Sequence, residues 1–435
     1  RQQIDARGYR NLADALKDMP GIGFRSNTEL VYQHKVTMRG VSGLSPFVIL
    51  QNGFRINAPT GEGVPIDDNF SLQHVKQIEV LYGPSSAMYG ADAFAGVVNL
   101  ITYTTTEQDQ TEFNTSFTDD DGFHNGVMTQ LQFDRFEQPL DLLISATKSS
   151  NSNGDLYQDY ASDFVLTDLL TFNGDIFTPA VQRNKPIFDT HSQSLFVNLN
   201  YGENLNLSLN HSRQNHSTAR GEVPNQVNYA ANPRWITNLN SVNLSYKQHL
   251  AENLQTTTLL SYSLYEVDPS SRFNNIFPNY QDGFKYSEGE EREWTQTLDW
   301  QINDNHEMVS GLTLERFHSI PKTVDLSRPF NPNRSVNDQG LFYANTNDQI
   351  PVNIFDVNYH NAGVYAQFKS RWQGELTSVL GARYDKSSNY GSTFNPRLGL
   401  IYQLRNDLTL KLMHGEAYLA PSAFQSYQHF GSFSS

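Results

Sequence analysis

Catalysis needs a nucleophile beside a base, a pair of opposed carboxylates or metal-spaced ligands, and none of these occurs here in a productive pattern. The 12 histidines are scattered through 435 residues. His211 and His216, five residues apart, do not share one helical face. No GxSxG elbow is present, and no GxGxxG or GxxxxGK follows a strand pattern, so hydrolase and nucleotide chemistry are set aside. With no cysteine in the chain, disulfide frameworks and thiolate metal sites are excluded. The chain is therefore read as non-enzymatic and without a tightly held cofactor. Two acidic groups, Asp119 to Asp121 and the trio Asp155, Asp159 and Asp163, are candidates to hold loop-bound calcium through hard oxygen ligands, although neither has EF-hand spacing. Solubilising loop charge is the ordinary alternative. Better suited to recognition are segment 24–35 (FRSNTELVYQHK) and segment 54–64 (FRINAPTGEGV), which mix Arg, Tyr, Asn and Gln between Gly and Pro. Concave sites combine aromatic surface with a few placed donors, and on that ground Arg25, Tyr32, Gln33, Arg55 and Asn57 are the candidate ligand-binding residues.

Which elements position these residues follows from patterning. Apolar residues make up 38% of the chain, with 22 Tyr and 27 Phe, and no run reaches the length of a membrane helix, about 18–20 residues. A membrane β-barrel escapes that test, because its strands run about 9–11 residues and bury only alternate side chains in lipid. The net charge of −15 argues against nucleic acid as a partner. Beyond residue 111 the sequence turns into alternating segments. Strands are predicted near 111–118, 126–134, 139–148, 191–201, 204–213, 237–248, 253–265, 290–302, 306–318, 361–372, 375–385, 394–404 and 407–416. Short turns (135–138, 202–204, 249–252, 303–305, 373–375, 405–407) alternate with long loops (149–190, 214–236, 266–289, 319–360). Outer-membrane barrels show this asymmetry, with short periplasmic turns and long external loops, and a soluble sandwich has no reason to. In 375–385, Leu376, Leu380, Ala382 and Tyr384 are assigned to lipid, and Thr377, Gly381, Arg383 and Asp385 to the lumen. Tyr201, Tyr246, Tyr402 and Trp372 suit an aromatic girdle.

The N-terminal hundred residues are of another kind. NLADALKDM (11–19) predicts a short helix capped by Asn11 and stopped at Pro20-Gly21. It is followed by VTMRGV (36–41), by FVILQNGFRIN (47–57), and by QIEVLYGPSSAMYGADAFAGVVNLIT (77–102). In the last stretch a strand breaks at Gly83-Pro84, passes through a small-residue loop and resumes as a β-rich run. In this order these segments resemble the plug domain of TonB-dependent outer-membrane receptors, with its DALKDMPGI, IRG, VLVDG, IEVLRGP, SALYG and GGVINIIT elements. Glu79, Gly83, Pro84, Tyr89, Gly90 and Gly96 carry the plug motif; Tyr82 stands where the RGP arginine is expected, so no ion pair of that arginine is carried over. STFNPRLGLIYQLRNDLTLKLMHGEAYLAPS (392–422) is similar to the TPRLGLIY and GEAFRAPS strands of the same family, with Tyr418-Leu419 replacing Phe-Arg.

The resemblance implies an α+β plug over residues 1–105 and an antiparallel transmembrane β-barrel over 106–435. About 13 strands are visible against the 22 with which the family closes its barrel. From that count, and from the lack of a terminal aromatic strand, the chain is expected to form an open barrel missing its last strands and to lack the TonB box before Arg1. It further implies the outer membrane of a Gram-negative bacterium as location. The implied partners are the TonB energy-transducing complex with ExbB/ExbD, a small-molecule metal chelate and lipopolysaccharide. Proton-motive-force-driven uptake of a ferric siderophore is the implied activity, with a cobalamin receptor or a SusC-like glycan or peptide importer as alternatives and a non-transporting adhesin as the reading from another class. In this family a plug arginine in the position of Arg39 pairs with barrel carboxylates. Glu315 is the expected partner because Gly311, Thr313 and Glu315 share lumenal parity; Glu416 is the alternative.

Overall fold

The computed structural model describes residues 1–25, 35–42, 47–63, 66–83, 93–103, 109–118, 122–152, 162, 165–218, 224–339, 354–372 and 375–428. The N-terminal domain opens with α1 (Gln2–Ala6) and α2 (Leu12–Lys17). Asn11 caps α2 as its sequence promises: the Asn11 side chain accepts from Asp14 N at 3.0 Å. Two small sheets follow. β1 (Ile22–Arg25), β2 (Lys35–Met38) and β3 (Val41–Ser42) form one. β4 (Val48–Gln51), β5 (Phe54–Arg55), β6 (Val75–Tyr82) and β7 (Gly96–Thr102) form the other in the order β5-β4-β7-β6, with β4 and β7 parallel. Gly96 has φ 157°, and a Cβ there would run into the Leu81 carbonyl oxygen and Met38 Sδ, so the motif glycine permits β7 to cross close under β2 and β6.

The remainder is dominated by one 13-stranded sheet. Its strands are β8 (Gln110–Phe117), β9 (Phe123–Phe133), β10 (Leu140–Asn151), β13 (Thr190–Tyr201), β14 (Leu205–Ser217), β15 (Arg234–Ala251), β16 (Leu254–Val267), β19 (Ser287–Asn303), β20 (His306–Ile320), β21 (Val357–Trp372), β22 (Leu376–Ser387), β23 (Gly391–Arg405) and β24 (Leu408–Gly415). Two hairpins, β11 (Leu169–Leu170) with β12 (Ile176–Thr178) and β17 (Arg272–Phe273) with β18 (Gly283–Phe284), decorate the long loops. All thirteen large strands fall where the alternation predicts them. Each pairs antiparallel with its neighbour in sequence order, and β8 and β24 are the two edges, so the sheet is open among the described residues.

Parity holds across the sheet. Leu380 (53% exposed), Tyr384 (44%) and Leu404 (48%) look outward, whereas Arg383 (3%) and Asn395 (2%) are buried inside. Tyr201, Leu205 and Tyr246 stand in one cross-strand row beside the short turns, as do Trp372, Leu376 and Tyr402, which places the expected girdle. The core of the N-terminal domain, with Leu12, Leu16, Met38, Leu72 and Leu100, is continuous with Trp235, Leu239, Tyr265 and Val267 on the inner face of β15 and β16. The domain therefore sits against the inner face of the sheet.

Candidate functional site at the contact between the two domains

A two-residue hairpin sets the geometry. Leu50 faces Arg55 and Gln51 faces Phe54 across it, with Asn52 (φ 51°) and Gly53 (φ 89°) as the turn, the type I′ conformation for which Asn-Gly is suited. Asn52 Nδ2 donates to Thr102 Oγ1 (2.9 Å) and Asn52 Oδ1 accepts from Thr102 N (3.0 Å), which locks the turn onto β7. The chain then leaves as an apical segment, residues 56–63. Asn57 is buried in it and its Oδ1 accepts from Ile49 N at 3.1 Å. Its side chain thus serves as a hydrogen-bond partner for β4.

Arg55 at the end of β5 and Thr60 and Gly61 on this segment meet Glu315, Asn361, Arg383 and Asp385 on the inner wall around a cavity of about 60 Å³. Arg383 Nε donates to both Asp385 oxygens (2.8 and 2.9 Å), and its guanidinium lies 5.6 Å from the Tyr365 ring centre. Asn361 Nδ2 donates to Glu315 Oε2 at 3.1 Å. Arg383 and Arg55 are the cations within electrostatic reach of Glu315, and Glu293 is the opposing carboxylate. Such a volume admits a few waters, not a chelate, since small-molecule sites run to about 300–1,000 Å³. The cluster is an ionic seat between apex and wall.

Three further contacts complete the seat. After β24 the chain returns over the apex: Phe424 N, at the start of α3 (Ala423–Tyr427), donates to Thr60 O at 3.2 Å. Segment 416–422, in which only the family resemblance implied a strand, is irregular and lines the cavity with Tyr418, Pro421 and Ser422. Glu62 is fully buried, takes a hydrogen bond from Thr60 Oγ1 (2.5 Å) on one oxygen and, among the described residues, has no side-chain partner on the other. Burial pushes the Glu62 carboxyl up to about 7, against the pull of that hydrogen bond. The wall makes room for it with Gly289, whose Cβ would lie 3.1 Å from both Glu62 oxygens and against Thr60 Oγ1. On the other side His74 stacks on Phe196 of β13 at 4.4 Å and has Nε2 3.4 Å from Gln51 Oε1. Burial, with Arg1 adding to it, lowers the imidazole to about 3.

Parity assigned Glu315 to the lumen correctly, but its expected partner needs correction. Arg39 is exposed at a positive-φ turn (49°) between β2 and β3, with its guanidinium 4.9 Å from the Tyr82 ring centre. Tyr82 in turn donates its OH to Pro20 O (2.6 Å). The residue that replaces the motif arginine therefore engages Arg39, and the plug arginine within electrostatic reach of Glu315 is Arg55, after Arg383 of the wall. Glu416, the alternative, is exposed, with its backbone N on Pro396 O (3.1 Å). Glu79 accepts from Gln77 (3.1 Å) and Asn99 (3.4 Å) inside the N-terminal sheet, and Gly83, at φ 94°, donates to Ala95 O (2.8 Å). Arg25 ends β1 opposite Lys35. Tyr32, Gln33, Pro84, Tyr89, Gly90, Asp119 to Asp121, Asp155, Asp159 and Asp163 lie outside the described residues. Glu62 and His74 were not singled out from sequence. Arg383 and Asp385 were assigned to the lumen but not to the seat.

Comparison with known proteins decides the family. Residues 1–97 match the TonB-dependent receptor plug domain, and residues 145–434 match the TonB dependent receptor-like β-barrel. The chain belongs to the TonB-dependent receptors. It is thus a plug seated in an outer-membrane β-barrel of the Gram-negative type. The vitamin B12 transporter BtuB of Vibrio vulnificus is 22% identical over 424 residues, which is 97% of this chain and 59% of the relative. An iron-regulated outer membrane virulence protein of Vibrio cholerae is 34% identical over 108 residues, 23% of this chain and 16% of the relative. Among solved structures, the ferric enterobactin receptor PfeA of Pseudomonas aeruginosa (G324V mutant) gives a TM-score of 0.71 at 15% identity, covering 97% of this chain and 61% of that one. The siderophore receptor PirA of Acinetobacter baumannii gives 0.67 at 17%, covering 97% and 60%. The chain spans about three-fifths of the length of these proteins.

Proposed function

We propose that this TonB-dependent receptor takes up a scarce metal complex, a ferric siderophore, across the outer membrane, driven by the inner-membrane TonB complex with ExbB and ExbD. The observation that carries the proposal is the composition of the plug seat. Around the apex the wall offers Glu315, Asn361, Arg383 and Asp385 beside the rings of Phe317, Tyr359 and Tyr390. Charged and hydrogen-bonded contacts beside water have replacements available when they part, so such a seat can be released by a pull and re-formed. A static closure would favour an apolar contact throughout, as the seat has on its β15 and β16 side.

A second reading, cobalamin as substrate, is favoured by the alignment of almost the whole chain with a vitamin B12 transporter. Uptake of labelled ferric siderophores and of labelled cobalamin by cells carrying the gene, with and without a functional TonB, separates the two. Ferric siderophore entry that requires TonB supports the first reading. TonB-dependent entry of cobalamin alone replaces it with the second.

A further inference from the structure

On the opposite face of β19 and β20 from the one that holds the plug, three ligating side chains converge. Glu290 faces His318 across the β19–β20 pair, and Glu288 is the next residue on the same face. One ligand atom from each of Glu288, Glu290 and His318 lies within 4.8 Å of the others. We propose that this is a divalent transition-metal site of the zinc type, at the root of the long loops.

Four features fit a site of this kind. The donor set of one imidazole and two carboxylates suits zinc, whereas magnesium and calcium favour all-oxygen surroundings. His318 presents Nδ1 to Glu288 Oε1 (3.2 Å) while Nε2 lies 2.9 Å from Asp356 Oδ1. With the proton held on Nε2 and its N–H donating to Asp356 Oδ1, Nδ1 is left as the ligand, the carboxylate–histidine–metal arrangement that fixes the tautomer. Tyr286 OH donates to Glu288 Oε2 (2.6 Å) and orients the other carboxylate. Arg292, 63% exposed, holds Glu290 Oε1 at 2.7 Å and is free to swing into solvent when an ion takes its place. Because Asp356 lies at the far end of the loop that leaves β20, an ion on His318 staples both ends of residues 321–356. This inference does not rest on the uptake reading.

The test is a zinc titration of the purified full chain in detergent, stripped with chelator beforehand, against a chromophoric zinc indicator, with zinc-edge X-ray absorption on the loaded protein. One saturable zinc per chain is expected, with an imidazole scattering signature. His318→Ala and Glu290→Gln should each weaken binding at least about 100-fold, consistent with loss of a direct ligand. Asp356→Asn, a change in a positioning residue, should weaken it by about 10–100-fold while the imidazole signature stays. Absence of a saturable zinc, unchanged affinity in His318→Ala, or a spectrum without imidazole would each overturn the site. Should a variant fail to fold, the spectrum of the unaltered chain still decides.

Discussion

Two buried titratable residues of the plug, Glu62 and His74, act on the seat with opposite signs. Glu62 is raised from 4.5 to about 7, so the seated plug holds a proton that the released one gives up. Its contribution is complete below pH 4.5 and is lost as pH rises through about 7. His74 is lowered from 6.5 to about 3, so its contribution is present above 6.5 and is lost as pH falls through about 3. Between pH 4.5 and 6.5 the two slopes cancel. Urea-induced plug release should therefore be nearly flat there in the unaltered protein. Glu62→Gln should uncover stability that rises with pH, and His74→Phe stability that falls, by at most about 3 kcal/mol across the window. Equal profiles in all three proteins would refute the assignment. For Arg55 and Glu315, a double-mutant cycle with Arg55→Met and Glu315→Gln should give a coupling of about 0.5–3 kcal/mol in the same release assay. Pairing of Arg39→Met with Glu315→Gln should give none. Glu315 was legible in the sequence because strand parity alone puts it inside. Its partner was not, because which arginine meets it depends on the Asn52-Gly53 turn and on Tyr82 drawing Arg39 away.

At the scale of elements, the plug apex fits the wall through a missing side chain. Gly289 interrupts a lumenal row of β19 that otherwise carries Ser287, Glu291, Glu293 and Thr295, and Thr60 and Glu62 fill the gap. Gly289→Ala should unseat the apex at a cost of about 1–3 kcal/mol, the usual range for overpacking, while β19 keeps its pairing with β16 and β20. Limited proteolysis within residues 56–63 reports this: faster cleavage of the variant with an unchanged β-sheet circular dichroism signal is expected, and equal cleavage rates would show that the gap is not used. The thirteen strands were legible because lipid on one side and a polar lumen on the other impose strict alternation. Their ends were less so. β15 runs to 18 residues, three past the predicted 237–248 at each end, because beyond the lipid on either side neither face is under that constraint. Nothing in the residues of 416–422 distinguishes a strand from the return over the apex, which is decided by the fit of Gly61 against Ser422.

For the molecule as a whole, the plug meets β15 and β16 through an apolar contact and meets Glu315, Asn361, Arg383 and Asp385 through a more polar one, which is the asymmetry the proposed release from the polar side relies on. That arrangement, and not the cavity of about 60 Å³, is what supports the proposed uptake. The open edges β8 and β24 bear on the same question, since an unpaired backbone group in hydrocarbon costs several kcal/mol. A transport-competent barrel therefore has both edges satisfied. The most direct test of the central claim is accumulation of radiolabelled ferric siderophore by cells whose own receptors are deleted and which carry the gene for this protein. Accumulation that disappears when TonB is removed, and falls when Arg25→Ala and Arg55→Ala are combined, is the predicted result. Accumulation that persists without TonB would show a passive channel and contradict the account.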